Sequence, residues 1–480
     1  MRNMTLLYLM AASVFVLGIA WMAVFGGQRI PGSLPQIKDE KRLVVLTLKG
    51  PTIYEESEDG PDGYEVDLVR AFADSLGVEI EFRIADDLDS LLAQLKAGRA
   101  HIAAGNLAAT DTRQAQLTLG PAYKNVTEQL VCHRERRLPK DVEALADEPL
   151  ILVAGSSYEE TLIALRDEHF SISWDAMPAA TAMPLLTQIA DTGTGCTVAD
   201  SHLVAYARRR HPELSVAFDL TEDRPLSWAI NPRTVGLEKA LDAWFAEAHE
   251  SGLLRQLDEH WFGHLDEFDY VDVASFRRRV DSRLAAYRPL FEAAADKHGF
   301  DWRLLAAQSY QESHWDPEAR SSTGVRGLMM LTLPTAREVG IEDRLDPAQS
   351  IEGGAIYLRR IYDRLPDSIV EPDRLWFALA AYNVGFGHLE DARVLADREG
   401  LDPNMWADVS DMLPRLTRSQ YYRTVRFGYA RGYEPVHYVR KVREYETILD
   451  GVLAEQAVLI EAEASELPLP ALLDGQDVPG

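Results

Sequence analysis

Glu312 stands in the run Ser309 to Thr332, SYQESHWDPEARSSTGVRGLMMLT, ahead of a loop carrying Gly324 and Gly327 and an apolar Leu-Met-Met-Leu segment. Counted from Trp302, the residues Leu305, Ser309 and Glu312 fall on one helix face at the i, i+4, i+7 spacing. A carboxyl on the face that carries Leu305 is partly desolvated, and desolvation raises its pKa. Such a group keeps a proton near neutrality, which is what protonating a glycosidic oxygen requires.

Ordinary glycoside cleavage needs a second carboxylate as nucleophile or as base for water. The nearest acid in sequence is Asp316, directly before Pro317, where a turn or cap role is the more ordinary reading. One acid suffices if the substrate brings its own nucleophile. In a muramyl residue the C6 hydroxyl can attack C1 once the glycosidic oxygen is protonated, closing a 1,6-anhydro ring without water.

Other residues suit a sugar cleft. Ser321 precedes a loop whose glycines permit close approach of a polymer. Tyr382 and Asn383, in AAYNVGFG, stand beside the break made by Gly385 and Gly387, and YEPVHYV places Glu434 and Tyr438 one helical turn apart. Each has a structural alternative: Tyr382 and Tyr438 as packing aromatics, Asn383 as a helix C-cap.

The first half holds a different pair. Arg113 follows a strand end and a Thr-Asp-Thr turn, where a guanidinium could grip a carboxylate. The plainer reading is a helix-start arginine in solvent. Asp200 ends CTVAD and begins SHLVAYARRRH, so it could accept from a ligand ammonium, with N-capping its more frequent fate.

The elements that must position these residues change character along the chain. From Arg42 to about Phe268, strand-like runs (RLVVLTL, EIEFRIA, HIAAGNL, LILVAG, CTVAD, SVAFDL, LSWAIN) alternate with amphipathic helices, which predicts an α/β domain. After about Tyr270 the runs read as helices only, so the second half is predicted to be all-α. Asp301 is the expected N-cap of the Glu312 helix, with Phe300 and Leu305 as a hydrophobic staple. The expected divisions are 1–30 as signal peptide or anchor, 40–268, 269–455, and an acidic flexible tail over 456–480.

A chain of 480 residues predicts two or three domains. Its net charge of −27 argues against non-specific binding to nucleic acid or anionic membrane surfaces. Met4 to Phe25 is an uncharged apolar run behind Arg2, suited to export or to membrane anchoring. Only Cys132 and Cys196 occur, so a disulfide is permitted and two buried thiols fit equally. Neither a metal nor a cofactor is expected.

The span from Arg42 to about Phe268 resembles the family-3 extracellular solute-binding domains, through GYEVDLVRAFADSLGV, LLAQLKAGRAHIAAGNLAATDTR, GPAYK and CTVADSHLVAY. That resemblance implies a two-lobed periplasmic-binding-protein-like fold in which Arg113 takes a ligand α-carboxylate and Asp200 its α-ammonium. An amino acid or muropeptide is the implied ligand. From about Arg283 to Leu449 the ordered motifs QESHW, STGVRGLMMLT, AAYNVG and EPVHYVRKV resemble the family 1 lytic transglycosylases, with a goose-type lysozyme-like helical fold.

That second resemblance implies cleavage of peptidoglycan strands at the β-1,4 bond between N-acetylmuramic acid and N-acetylglucosamine, leaving 1,6-anhydromuramyl ends. Glu312 is then the sole acid/base, and Ser321, Tyr382, Asn383 and Tyr438 line the saccharide. Met330 stands where the common motif has Gln. The two domains together resemble the membrane-bound lytic murein transglycosylase F family. This implies an exotransglycosylase at the periplasmic side of the envelope, peripherally attached to the outer membrane, with the first domain as a regulator. The apolar N-terminus suits an inner-membrane anchor equally. A glycan-binding receptor without catalysis and a hydrolysing lysozyme are the competing readings.

Overall fold

The computed structural model describes residues 30, 32–57, 60–168, 171–265, 267–321 and 324–466. The apolar run Met4 to Phe25 and residues 467–480 lie outside them. The chain forms two compact units that divide between Phe262 and Gly263, earlier than the expected boundary at 268. The side chains explain the difference. Trp261 Nε1 donates to Asp67 at 3.0 Å and Phe262 packs on Tyr64, both in the first unit, whereas His264 bonds Thr447 in the second.

The first unit is built on two five-stranded sheets. One runs in spatial order Glu79–Ala85, Arg42–Leu48, Ile102–Ala103, Arg224–Ile230, Thr118–Val126. Arg42–Leu48 pairs in parallel with both neighbours and is buried from Leu43 to Leu48, as an inner strand covered on both faces must be. The other sheet has the order Leu214–Asp219, Glu128–His133, Cys196–Asp200, Leu150–Val153, Trp174–Met177.

Three of these strands, Thr118–Val126, Glu128–His133 and Trp174–Met177, are absent from the sequence-based reading. Gly120 and Pro121 in TLGPAYKNV signal a break, yet the strand lies at a sheet edge, where a missing N–H is tolerated. The chain passes between the sheets at Thr127 and again over 220–223, and the crossings are tied by the Leu220 N–H donating to the Glu128 carbonyl at 2.7 Å. Cys132 and Cys196 are register partners on adjacent antiparallel strands, with Cα atoms 4.3 Å apart, and are joined as a disulfide.

The second unit has only helices as its regular elements, with no strand among its described residues. At its centre is Trp302–Ser313, buried continuously from Leu304 to Tyr310, so this helix is enclosed on all sides rather than on one stripe. It packs against Tyr433–Glu466. That helix continues through Glu466, so the segment expected to be flexible from 456 is helical in its first part. The run read as one helix over SFRRRVDSRLAAYRPLFEAAADKHG widens to a π-turn at Val280–Leu284. Pro289 follows, and it cannot donate to the carbonyl four residues back.

Candidate functional site

Glu312 is the penultimate residue of the Trp302–Ser313 helix, and Asp301 caps its start by accepting from the Arg303 N–H at 2.8 Å. The helix ends abruptly because His314 and Trp315 both take positive φ, 53° and 55°. Trp315 is held there by burial and by its Nε1–H donating to the Ala306 carbonyl at 2.9 Å. The buried helix therefore delivers Glu312 at the point where the chain turns away.

Among the described residues, the Glu312 carboxylate receives one side-chain hydrogen bond, from Tyr438 Oη to Oε1 at 2.7 Å. Tyr438, 4 % exposed, in turn accepts from Gln308 Nε2 at 3.2 Å. Burial pushes Glu312 up to about 7, and the Tyr438 bond opposes that rise by favouring the charged form. Glu312 retains a partly exposed surface, so this carboxyl is shielded and still reachable. A carboxyl so placed can give a proton at neutral pH and take one back.

A second layer of contacts fixes the loop opposite. Ser309 Oγ and Ser313 Oγ both donate to the Leu328 carbonyl, at 3.1 and 2.9 Å. The Met329 N–H donates to Ser350 Oγ at 3.2 Å, and Tyr382 Oη donates to the Met329 carbonyl at 2.9 Å. Burial, and next the charge of Glu312, hold the Tyr382 phenol well above its ordinary value. Tyr382 therefore senses the same carboxylate as Tyr438.

Glycine makes this approach possible. At Gly327, with φ of 81°, an added Cβ would lie 1.8 Å from the Arg344 carbonyl oxygen. At Gly354, inside the Pro347–Arg364 helix, it would lie 2.7 Å from the Met329 side chain.

Of the residues singled out from sequence, Glu312, Tyr382 and Tyr438 are brought together. Ser321 turns the loop, its Oγ accepting from the Val325 N–H at 3.3 Å. Asn383 is exposed near the end of Asp373–Val384, and Gly385 rather than its side chain closes that helix. Glu434 faces solvent and pairs with Arg431 at 3.1 Å. Asp316 is exposed, and its Oδ1 accepts from the Glu318 N–H at 3.0 Å. Sequence reasoning passed over Gln308, one turn before Glu312 on the same helix, and the Gly353-Gly354 pair, whose signal was two glycines inside a helical run. A hollow of about 610 Å³ beside Phe300, Trp302 and Leu453 contains none of these residues.

In the first unit Arg113 and Asp200 line one pocket with Asn106, Tyr158, Thr181 and His202. Arg113 is 5 % exposed, which overturns the solvent reading. Its Nη1 donates to the Ala108 carbonyl at 3.0 Å and its Nε lies 3.9 Å from Glu160. Asp200 occupies the N-cap position of Ser201–Arg210 but makes no capping bond. Among the described residues its Oδ1 is buried without a hydrogen-bond partner. Burial, then the charge of Glu128, raises it to about 7, against the Tyr158 hydrogen bond and the charges of Arg113 and Arg224. Capping gives way because the carboxylate is turned into the pocket. Among the described residues no group of three His, Cys, Asp or Glu is placed to hold a metal ion.

Residues 43–264 match the bacterial extracellular solute-binding proteins, family 3, and residues 289–401 match the Transglycosylase SLT domain. The chain is 57 % identical over 422 residues to a protein of Maricaulis maris named membrane-bound lytic murein transglycosylase F, covering 88 % of this chain and 92 % of that one. Proteins of the same name from Stutzerimonas stutzeri and Aliivibrio fischeri are 42 % and 43 % identical, over 92 % and 90 % of this chain and 91 % and 87 % of theirs.

Proposed function

This chain belongs to the membrane-bound lytic murein transglycosylase F family, and on that premise we propose that Glu312 is its sole catalytic acid and base. Glu312, protonated, gives its proton to the glycosidic oxygen between N-acetylmuramic acid and N-acetylglucosamine as the C1–O bond breaks. As a carboxylate it then takes the proton of the muramyl C6 hydroxyl while that oxygen bonds to C1. The products are a free 4-hydroxyl and a 1,6-anhydro end, Glu312 regains its proton, and no water is consumed.

The observation that carries this reading is the pairing of Glu312, raised to about 7, with Tyr438 as its hydrogen-bond donor. One group near neutrality serves both proton transfers. Asp316 is exposed and engaged in its own turn, which makes it a poor second carboxylate. Ser321, Tyr382 and Asn383 would contact or orient the saccharide.

The test is Glu312→Gln. The variant should bind sacculi and release no anhydromuramyl products, whereas equal release by variant and wild type would sink the assignment. Mass spectrometry separates a hydrolysing lysozyme, because hydrolysis adds one water per cut.

For the first unit we propose an amino acid or muropeptide ligand, its carboxylate on Arg113 and its ammonium on Asp200, whose occupancy modulates cleavage. Asp200's unpartnered oxygen supports this. A saturating ligand that left turnover unchanged would remove the regulatory part. The relatives are named membrane-bound. On that name we place the chain at the periplasmic side of the envelope, peripherally attached to the outer membrane, with an inner-membrane anchor as the alternative; among the described residues, which do not include Met4 to Phe25, no helix is long and apolar enough to cross a membrane.

A further inference from the structure

Between the 3₁₀ turn Leu413–Thr417 and the helix Tyr433–Glu466 the chain runs through RSQYYRTVRFGYARGY, a segment to which the cleavage chemistry assigns no part. Its ends are pinned: a Cβ on Gly432 would lie 1.7 Å from the Leu413 carbonyl oxygen. Its middle is held by Asp391, 2 % exposed, whose carboxylate accepts three successive backbone N–H groups, from Arg426 at 3.0 Å, Phe427 at 2.7 Å and Gly428 at 2.9 Å. A buried carboxylate capturing three amides makes a rigid mount.

What the mount displays is unusual for an unpartnered surface. Phe427, Tyr429 and Tyr433 are 51, 57 and 59 % exposed. Tyr429 is kept upright by an edge contact with Tyr422, and the Arg426 guanidinium sits 5.3 Å from the Phe427 ring. From 415 to 433 there are five arginines and no acid, in a chain of net charge −27. Arg415 and Arg431 have carboxylate partners in Glu399 and Glu434. Arg418, Arg423 and Arg426 are exposed.

The segment is linked to the elements of the candidate site in two ways. The Phe427 ring lies against Gly387, where a Cβ would come within 2.6 Å of it, and Gly387 is four residues beyond Asn383. The segment then feeds the helix that carries Tyr438. An aromatic face with guanidinium groups around it fits a sugar ring bearing anionic substituents: the ring C–H face packs on the aromatic, and the carboxylates pair with arginine.

We propose that Arg418 to Tyr433 is a binding platform for the uncleaved part of an anionic glycan strand. In it Phe427 packs on a sugar ring next to the cleavage site, and Arg423 and Arg426 pair with carboxylates along the strand. Asp391 is the positioning residue of that platform. The proposal rests on the reading of this unit as a glycan-cleaving one.

The experiment is co-sedimentation of the full chain with purified sacculi over a range of salt, in the Glu312→Gln background so that the polymer stays intact. Phe427→Ala is expected to weaken binding roughly tenfold, with Phe427→Tyr within about twofold of the parent. Arg423→Glu with Arg426→Glu is expected to weaken it roughly tenfold at low salt and to flatten the salt dependence. Both arginines are exposed, so this variant keeps the test open if the Phe427 change disturbs folding; melting curves identify that case. Binding by either variant equal to the parent overturns the half of the proposal it tests. Failure of the cleavage reading is seen separately, as undiminished product release by Glu312→Gln alone.

Discussion

Tyr438 Oη lies 2.7 Å from Glu312 Oε1 and donates to it, so the acid that must hold a proton is also supplied with a bond that favours losing it. Burial wins, and the carboxyl rests near 7. The balance predicts a pH profile. The protonated fraction of Glu312 falls as pH rises past about 7, so cleavage should decline there on the alkaline side. Tyr438→Phe removes the opposing bond, raises Glu312 further and should move that limb to higher pH while lowering kcat. A limb that stays put in the variant would detach Tyr438 from the titration.

The same shift is linked to stability. An unfolded glutamate titrates near its ordinary 4.5 and the folded one near 7. The contribution is fully present below the lower value and is lost as pH rises through the higher one. Glu312→Gln cannot lose a proton, so its melting temperature should gain on wild type between pH 4 and pH 8. A gap independent of pH would contradict this.

Two glycines of one loop should behave differently. Gly324→Ala meets open space among the described residues and costs about 1–2 kcal/mol for its positive φ alone. Gly327→Ala adds a collision with the Arg344 carbonyl and should cost about 2–4 kcal/mol, with cleavage reduced because Met329 is displaced. Denaturant melts of the two variants side by side make the comparison.

In the first unit, Asp200→Asn, which removes the partner of a ligand ammonium, and Arg113→Ala, which removes that of its carboxylate, should each weaken amino acid binding by roughly 2–5 kcal/mol. Because Asp200 is raised to about 7, wild-type affinity should increase as pH rises through that value. The Asn variant should show no such trend. Calorimetry of the full chain against a panel of L-amino acids and a D-alanine-containing muropeptide reads both effects.

The sequence carried the helix of Glu312 well, because Asp301 and Phe300 mark its start through purely local chemistry. It carried the partner of Glu312 less well. Tyr438 lies 126 residues away, and nothing local separates a tyrosine that bonds an acid from one that only packs. For Asp200 the sequence leaves two roles open, for a related reason. Its position fits an N-cap, and only the surrounding Glu128, Tyr158 and Arg113 show that the carboxylate faces elsewhere. Edge strands such as Thr118–Val126 were hidden by their Gly-Pro break, and Asp391 gave no signal because its partners are backbone amides.

Tyr382 is tethered to the carbonyl of Met329, an atom that every amino acid possesses. The tether therefore survives any substitution at 329 or 330 that leaves the loop path intact; at Met330, whose φ is 44°, that admits unbranched side chains and disfavours β-branched ones. What cannot be rewritten are the glycines at 327 and 354 that let the path exist. In a saturation library of this loop, tolerance should accordingly run opposite to chemical character: the large residue is replaceable and the featureless ones are not.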